Sequence, residues 1–572
     1  MPYIDKNWQL YPKLIPEADQ ALQNYPPVIR QILYNRGYPT AEAAYRYLSA
    51  SATEGTDPFS MLGVPQAVER LARAIQKKEP VAIYGDYDAD GVTATALLVQ
   101  VLEGLGASVR GYIPNRFDEG YGLNNEALDQ LQSEQVRVVV TVDCGIRSPK
   151  EAAHALGLGI DLIITDHHQP DVELPSAYAI INPKQPGDPY PDKDLAGVGL
   201  AYKLASALVT YLKQQDWPCN GVDPDDCLDL VAVGTVADLA PLVGENRSLV
   251  RAGIKVIQSG RRQGLVSLMG AAGLAPSKLT ASDIGFGIGP RLNAAGRLES
   301  ALASLQLLTT TSVVEAGRLA QQLDNQNRER QRITQEIQAQ AEKLALAECP
   351  DRLLLVAAHP SFNPGVVGLA ASRLTDLYYR PAIVAYQGEE FTRASCRSIS
   401  EFHITEALDQ CADLLEHHGG HAAAAGFTIR NERLPELVHR LQTLAAQKLS
   451  DATLCPTLMA DAEIPLSQLH PSLLDYLNLL QPTGYGNSQA VFISRDLQVL
   501  SCKAVGRENA HLKLVITDGW VTYDAIAFRQ GHWLDSIPPM VDLMYVFEVN
   551  EFNGRTSLQL NVRDIKPAGY PA

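Results

Sequence analysis

The chain has no Cys-x-x-Cys pair, no apolar run near the roughly 18 residues of a membrane span, no internal repeat and no low-complexity tract. Its eight cysteines are scattered at 144, 219, 227, 349, 396, 411, 455 and 502. That excludes a disulfide scaffold or a zinc ribbon and points to a reducing compartment. The opening MPYIDKNWQLYPK carries no apolar stretch behind a basic start, so no secretory signal is read there. The expectation is a cytoplasmic protein with no membrane contact. A basic excess is missing as well. The net charge is −17, which argues against a generic polyanion binder. An anionic substrate would have to meet local positive charge or bound cations. One stretch offers the former: from Ser248 to Arg332, eleven Lys or Arg stand against five Asp or Glu.

What is present is enough for several cores. The 572 residues exceed the ~250–300 at which single cores stop growing, and predict three or four domains. Residues 1–75 read as a helical extension, with YPPVIRQILYNRG and TAEAAYRYLSA at three-to-four spacing. From residue 76 to about 310 the chain alternates. PVAIYGD, SVRGYIP, VRVVVTVDCG, IDLIITDHH and AYAIINP read as strands, with helices between them. This rhythm predicts a parallel α/β sheet, and the nearly all-apolar strands predict cover on both faces. A polar helix is expected from about Ser312 to Ala347, linking this part (76–310) to a second α/β unit over 349–450. Five β runs within 451–572 predict a small barrel of the OB type, an architecture that often binds single-stranded nucleic acid.

Chemistry concentrates at three strand ends. VAIYGDYDADG places Asp86, Asp88 and Asp90 after one strand, VVVTVDCG places Asp143 after another, and LIITDHH places Asp166, His167 and His168 after a third. Open α/β sheets bind ligands at the carboxyl ends of their strands. A lone Asp there is usually a cap, but three such clusters on one rim point to cations. Carboxylates with one or two imidazoles suit Mn²⁺ or Mg²⁺ better than a sulfur-seeking metal. Two such ions can activate a water and neutralise charge on a phosphate. By themselves these residues imply metal-assisted phosphoester hydrolysis.

At these residues the sequence resembles the DHH phosphoesterase superfamily. GDYDADG, TVDCG and TDHH match its first three motifs in order, and LAGVGLAYKL followed by VAVGTVADLAPL resembles the fourth. HPSFNPGVVGLAASRL, ASCRSISEFH and HGGHAAAAGF resemble the DHH-associated domain, and the ordered set, with PNRFDEGYGL and GPRLNAAGRL, resembles the superfamily's single-strand-specific exonucleases. The resemblance implies a 5′→3′ exonuclease on single-stranded DNA, acting in repair and recombination, with two Mn²⁺ or Mg²⁺ ions. It also implies a monomer with single-strand-binding protein as a partner. Carried over by position, Asp88, Asp90, Asp143, His167 and Asp238 are metal ligands. Asp86 is a ligand or lies just behind one. His168 sits beside the scissile phosphate, and Asp166 orients its neighbours.

For substrate the resemblance implies Arg116 and Tyr121, one gripping phosphate and the other stacking on a base. Arg291, Asn293 and Arg297 are expected along the DNA path. Ser395, Arg397, Ser398 and His421 are expected around the terminal phosphate, with Gly419 and Gly420 letting the backbone approach. Two departures stand out. Ala394 and Cys396 replace the glycines of the usual Gly-Ser-Gly-Arg-Ser pattern, and Phe362 replaces a usual Trp. The first puts the grip on substrate in question and exposes a thiol to the question of oxidation. The alternatives are a smaller oligonucleotide phosphodiesterase of the same superfamily and a non-catalytic DHH-like scaffold. The barrel speaks against the first, and the complete set of acids and histidines against the second.

Overall fold

The structure is a computed structural model. It describes residues 5–569 except 52, 54, 55, 116–118, 121, 348–351, 451–452 and 553. The chain opens on β1 (Asn7–Leu10), which pairs in parallel with a strand far downstream. Five parallel strands follow: β2 (Pro80–Gly85), β3 (Ser108–Tyr112), β4 (Val138–Val142), β5 (Asp161–Thr165) and β6 (Ala179–Ile181), in the order β3-β2-β4-β5-β6. Their apolar runs are explained by burial on both faces. Val81, Ile83, Val138, Val140, Val142 and Ile163 enter one core with the helices Val64–Lys77, Ala89–Gly104, Gly197–Gln214 and Leu228–Ala237. Ala82, Tyr84, Val139, Leu162 and Ile164 enter another with Asn125–Ser133 and Pro149–Gly157. A period of two that is apolar on both sides leaves no polar stripe.

The polar helix runs over Val313–Leu346. Beyond it lie β7 (Leu355–His359), β8 (Ala382–Gln387), β9 (Phe391–Arg397), β10 (Leu415–His421) and β11 (Ala424–Arg430). Their sheet, ordered β10-β11-β9-β8-β7, is mixed: only β7 and β8 are parallel. The expected second α/β unit is therefore mostly antiparallel, because HGGHAAAAGF folds back on itself as a hairpin. After β12 (Thr457–Ala460) and β13 (Ala462–Glu463) come β14 (Phe492–Val505), β15 (His511–Thr517), β16 (Thr522–Ala527), β17 (Met540–Phe552) and β18 (Arg555–Pro567). β14 pairs with β15 through one half and with β17 through the other, so the sheet β14-β15-β16-β18-β17 closes into a five-stranded barrel.

Two compact units result. One is Pro12–Asn327 with Gln468–Ala490; the other is Met1–Tyr11, Arg328–Ser467 and Val491–Ala572. The division departs from a linear reading at two places. β1, within the stretch read as helical, pairs with β12. Residues 468–490, read as part of the barrel segment, belong with the parallel sheet. There the buried Arg247 guanidinium donates to the carbonyls of Leu479, Leu480 and Pro482, and the Tyr47 hydroxyl meets Asn487 Oδ1 at 2.7 Å. Among the described residues no helix is long and apolar enough to cross a membrane.

Candidate metal centre

The three central strands β2, β4 and β5 are neighbours in register, with Gly85 beside Val142 and Val142 beside Thr165. Asp86, Asp143 and Asp166 are the residues that follow these ends, so strand pairing alone brings them to one rim. Asp88 is the N-cap of helix Ala89–Gly104, its Oδ1 accepting from the Asp90 and Gly91 amides. Capping and the candidate metal role therefore coincide in one side chain. Asp90, in the first turn of that helix and buried, accepts from Gly197 N at 2.7 Å and Val198 N at 2.8 Å, at the start of helix Gly197–Gln214. A helix N-terminus suits a carboxylate.

That close approach requires glycine. A Cβ on Gly197 would stand 2.8 Å from Asp143 Cβ, and one on Gly234 would stand 2.8 Å from Asp90 Oδ1 and 2.3 Å from Thr93 Oγ1. The motif LAGVG…VAVG is visible in the sequence; the role of its glycines is not. Asp143 sits at φ +61°, a left-handed position that Asp tolerates. Asp238 is the C-cap of the buried helix Leu228–Ala237, and Leu239 after it also has positive φ, +61°.

The two histidines divide. His167 is turned inward, its side chain 13% exposed, with Nε2 3.1 Å from Asp143, 3.6 Å from Asp238 and 4.0 Å from Asp90. His168 is 42% exposed, and its Nδ1 meets Asp166 Oδ1 at 2.8 Å. Asp166 also accepts from the His168 and Ile146 amides. It thus braces His168 rather than His167. Two residues that the sequence reading does not single out hold this loop from the end of β6. Asn182 Nδ2 donates to His168 O at 2.9 Å, and Lys184 Nζ donates to His167 O at 2.8 Å. Their only sequence signal is the polar pair in AIINPK.

Three donor sets form. They are Asp86, Asp88 and Asp143; Asp90, His167 and Asp238; and Asp143, His167 and His168, with donor atoms within 4.8 Å of one another inside each. Asp143 and His167 each serve two sets. Asp143 Oδ1 and His167 Nε2 are buried and make no hydrogen bond in spite of their proximity. Burial and the neighbouring Asp88 push Asp90 up to about 7, and burial with Asp90 and Asp88 pushes Asp238 up to about 9. Burial and Asp90 likewise raise Asp143 well above the usual range, and burial lowers His167 to about 3. At Asp166 the outcome reverses: burial is outweighed by the hydrogen bond and charge of His168, so this carboxyl is lowered and His168 is raised. Buried, mutually repelling oxygens beside a neutral imidazole are what a hard divalent cation would relieve. The residues fit Mn²⁺ or Mg²⁺.

The outlying residues fare unevenly. Arg116 and Tyr121 lie outside the described residues. Asn293 is committed to the fold: its Oδ1 accepts from Ala89 N at 2.6 Å. Arg291 pairs with buried Asp324 at 2.8 Å and donates to Gly287 O at 2.7 Å. Arg297 is half-buried nearby. Much of the local positive charge is also answered within the fold. Arg261, Arg262, Arg318 and Arg332 pair with Asp226, Asp229, Glu315 and Glu329.

In the second unit, Ser395 and Arg397 alternate along β9 and meet the start of helix Val367–Tyr378. A Cβ on Gly368 would be 3.2 Å from an Arg397 Nη and 3.3 Å from Ser395 Oγ. Register places Arg397 opposite Ala424, and Ala424 opposite His421, on one face. Ser398 turns away, its hydroxyl donating to Phe402 O at 2.6 Å. Ala394 and Cys396 point to the opposite face, into a core with Ala425 and Phe427. β9 stays regular without the two glycines, and burial pushes the Cys396 thiol up to about 12, so it does not threaten the pocket by oxidation. Phe362 is fully buried, filling a core position.

The family description "DHH family, N-terminal domain" matches residues 80–235, "DHHA1 domain" matches 351–447 and "RecJ OB domain" matches 460–564. The chain is 38% identical over 542 residues to the single-stranded-DNA-specific exonuclease RecJ of Bacillus subtilis, covering 94% of this chain and 68% of that one. With the RecJ of Escherichia coli the identity is 36% over 581 residues, covering 98% and 99%. Among solved structures, RecJ from Thermus thermophilus in complex with Mn²⁺ has a TM-score of 0.84 at 29% identity, over 99% of this chain and 80% of that one.

Proposed function

We infer the working of this site from one premise: the chain belongs to the RecJ family of single-stranded-DNA-specific exonucleases. It hydrolyses single-stranded DNA with Mn²⁺ or Mg²⁺, and we assign it the 5′→3′ direction with release of 5′-mononucleotides. The observation that carries the reading is the trio of overlapping donor sets at the ends of β2, β4 and β5. Asp86, Asp88 and Asp143 would hold one ion, and Asp90, His167 and Asp238 the other. Bound there, two divalent cations would lower the pKa of a shared water and neutralise charge on the scissile phosphate.

The chain's own residues do the rest. Asp143 and His167 join the two sets. Asp166 favours the charged form of His168, and the more open His168 ring is placed to donate a hydrogen bond to a phosphate oxygen. Ser395, Arg397 and the N-terminus of helix Val367–Tyr378 form an anion pocket to which we assign the terminal phosphate, with His421 on the same face. Holding that end supplies the direction. We further propose that the protein acts in the cytoplasm in DNA repair and recombination, as a monomer, with single-strand-binding protein as a partner.

The test is a time course on 5′- and 3′-end-labelled oligonucleotides, single- and double-stranded, with Mn²⁺. Mononucleotides appearing first from the 5′ end of single strands are expected. Cleavage confined to dinucleotides would favour a short-substrate phosphodiesterase. Binding without cleavage would favour a scaffold.

A further inference from the structure

The sequence reads the motif GPRLNAAGRL as lining the DNA path, and the structure shows that two of its residues, Arg291 and Asn293, are also bound within the fold. Its helix, Gly289–Leu298, continues directly from one π-helical turn, Ile284–Ile288. Ile284 and Ile288 are fully buried, whereas Phe286 between them is 85% exposed. Extra residues in a helical turn cost regular hydrogen bonding and recur at functional sites.

This turn is not a loose loop. Arg291 donates to Gly287 O and is itself tied to Asp324, so the motif's first arginine braces the turn. The turn packs against helix Leu228–Ala237, and the helix that follows the turn approaches the metal centre at two points. A Cβ on Gly289 would be 3.0 Å from the Cβ of Ala237, the residue before Asp238. Further along the same helix, Asn293 holds Ala89 N, between Asp88 and Asp90. On the chain next to Asp238, Leu239 is 66% exposed and held at φ +61°. That conformation disfavours a side chain such as Leu and persists where the surroundings impose it. A lone exposed apolar residue needs no explanation. Here two of them, both on constrained backbone, lie by the helix that ends at Asp238: Phe286 on the turn packed against that helix, and Leu239 just after the candidate ligand.

We propose that Phe286, with Leu239 beside Asp238, forms an apolar shelf on which a nucleobase near the scissile phosphate stacks. This rests on the reading of the site as a single-strand nuclease. Every base has a π-face, so a stacking shelf accepts any sequence. In duplex DNA that face is covered by the neighbouring base pairs, so the shelf favours an unpaired strand. Phe286 is thus a substrate-positioning residue, on a turn that Arg291 braces through Gly287 O.

The test combines protein and substrate changes in the cleavage-deficient Asp143→Ala background with Mn²⁺. Affinity is measured for a short 5′-phosphorylated oligonucleotide and for the same strand with one abasic residue moved through its first few positions. One abasic position is expected to weaken binding about 5- to 150-fold, the range of base–aromatic stacking. Phe286→Ala should weaken binding to the intact strand by a similar factor and show no further loss at that position. Phe286→Trp should restore affinity and Phe286→Leu should not. Losses from Phe286→Ala and from the abasic residue that simply add at every position overturn the proposal. So does a Leu variant as good as Trp, or an Ala variant that binds like its parent. A wild-type chain that neither binds nor cuts single strands overturns the nuclease reading, and the shelf with it.

Discussion

Asp143 carries more of the site than any other side chain, since it belongs to two of the three donor sets and is wholly buried. Asp143→Ala should abolish cleavage in a gel assay while leaving oligonucleotide binding within a few-fold. Full activity would reject the metal assignment. The raised carboxyls give a second prediction. Asp90 stands at about 7 and Asp238 at about 9, each raised chiefly by burial, against about 3.9 in an unfolded chain. A carboxyl raised on folding contributes stability that is complete below its unfolded value and is lost as pH rises through the folded one. Between pH 6 and pH 9 the metal-free chain should therefore lose thermal stability, and saturating Mn²⁺ should remove most of that loss. Melting curves with EDTA and with Mn²⁺ check this; parallel profiles would contradict it. Lys184 tests positioning. Its ammonium holds the His167 carbonyl, so Lys184→Met should weaken Mn²⁺ binding and lower kcat with little change in KM, and Lys184→Arg should recover part of both. The acids and histidines are legible in the sequence because three strand endings repeat one signal. Lys184 and Asn182 are not, because a residue that works through a backbone carbonyl can stand at any position the fold brings near.

The elements that build the centre are joined by glycines with no slack. Gly234 lies on helix Leu228–Ala237 where a methyl group would meet Thr93, Val198 and Asp90 at 2.8 Å or less. Gly234→Ala should cost about 1–3 kcal/mol in denaturant unfolding, the range of overpacking, and should also weaken Mn²⁺ binding by displacing Asp90. A fully stable variant with normal Mn²⁺ affinity would show that the helices can part. Element type is readable from periodicity across the parallel sheet and the long helix. It does not give strand direction in the second α/β unit, where short apolar runs suit parallel and antiparallel pairing equally and the hairpins β8–β9 and β10–β11, the latter turning at Ala422–Ala423, decide. The pattern Ala394-Ser395-Cys396-Arg397 is ambiguous for the same reason. Alternation shows that two residues share a face, but which face meets the core is settled by what packs there.

On the scale of the whole molecule, the first residues serve the last. Trp8 on β1 is 2% exposed, packs with Ala460, Ile493 and Met544, and donates to Asp564 at 2.8 Å. Trp8→Ala should destabilise by about 3–5 kcal/mol, as large buried aromatics do. Removing residues 1–11 should lower the melting temperature by at least as much as Trp8→Ala does, without touching a donor of the metal centre; unchanged melting would mean that β1 adds nothing. The sequence by itself determined the strand endings, the donor types and hence a hard divalent cation, because these depend on residue identity and on a period of two. It also determined the closing barrel, whose five β runs are separated by recognisable turns. Only the tertiary structure decided which histidine faces inward, that Asp166 braces His168, that Arg291 and Asn293 support the fold, and that Phe286 is left open to solvent. Those outcomes depend on which distant segments pack together, and burial, unlike periodicity, is a property of the assembled chain.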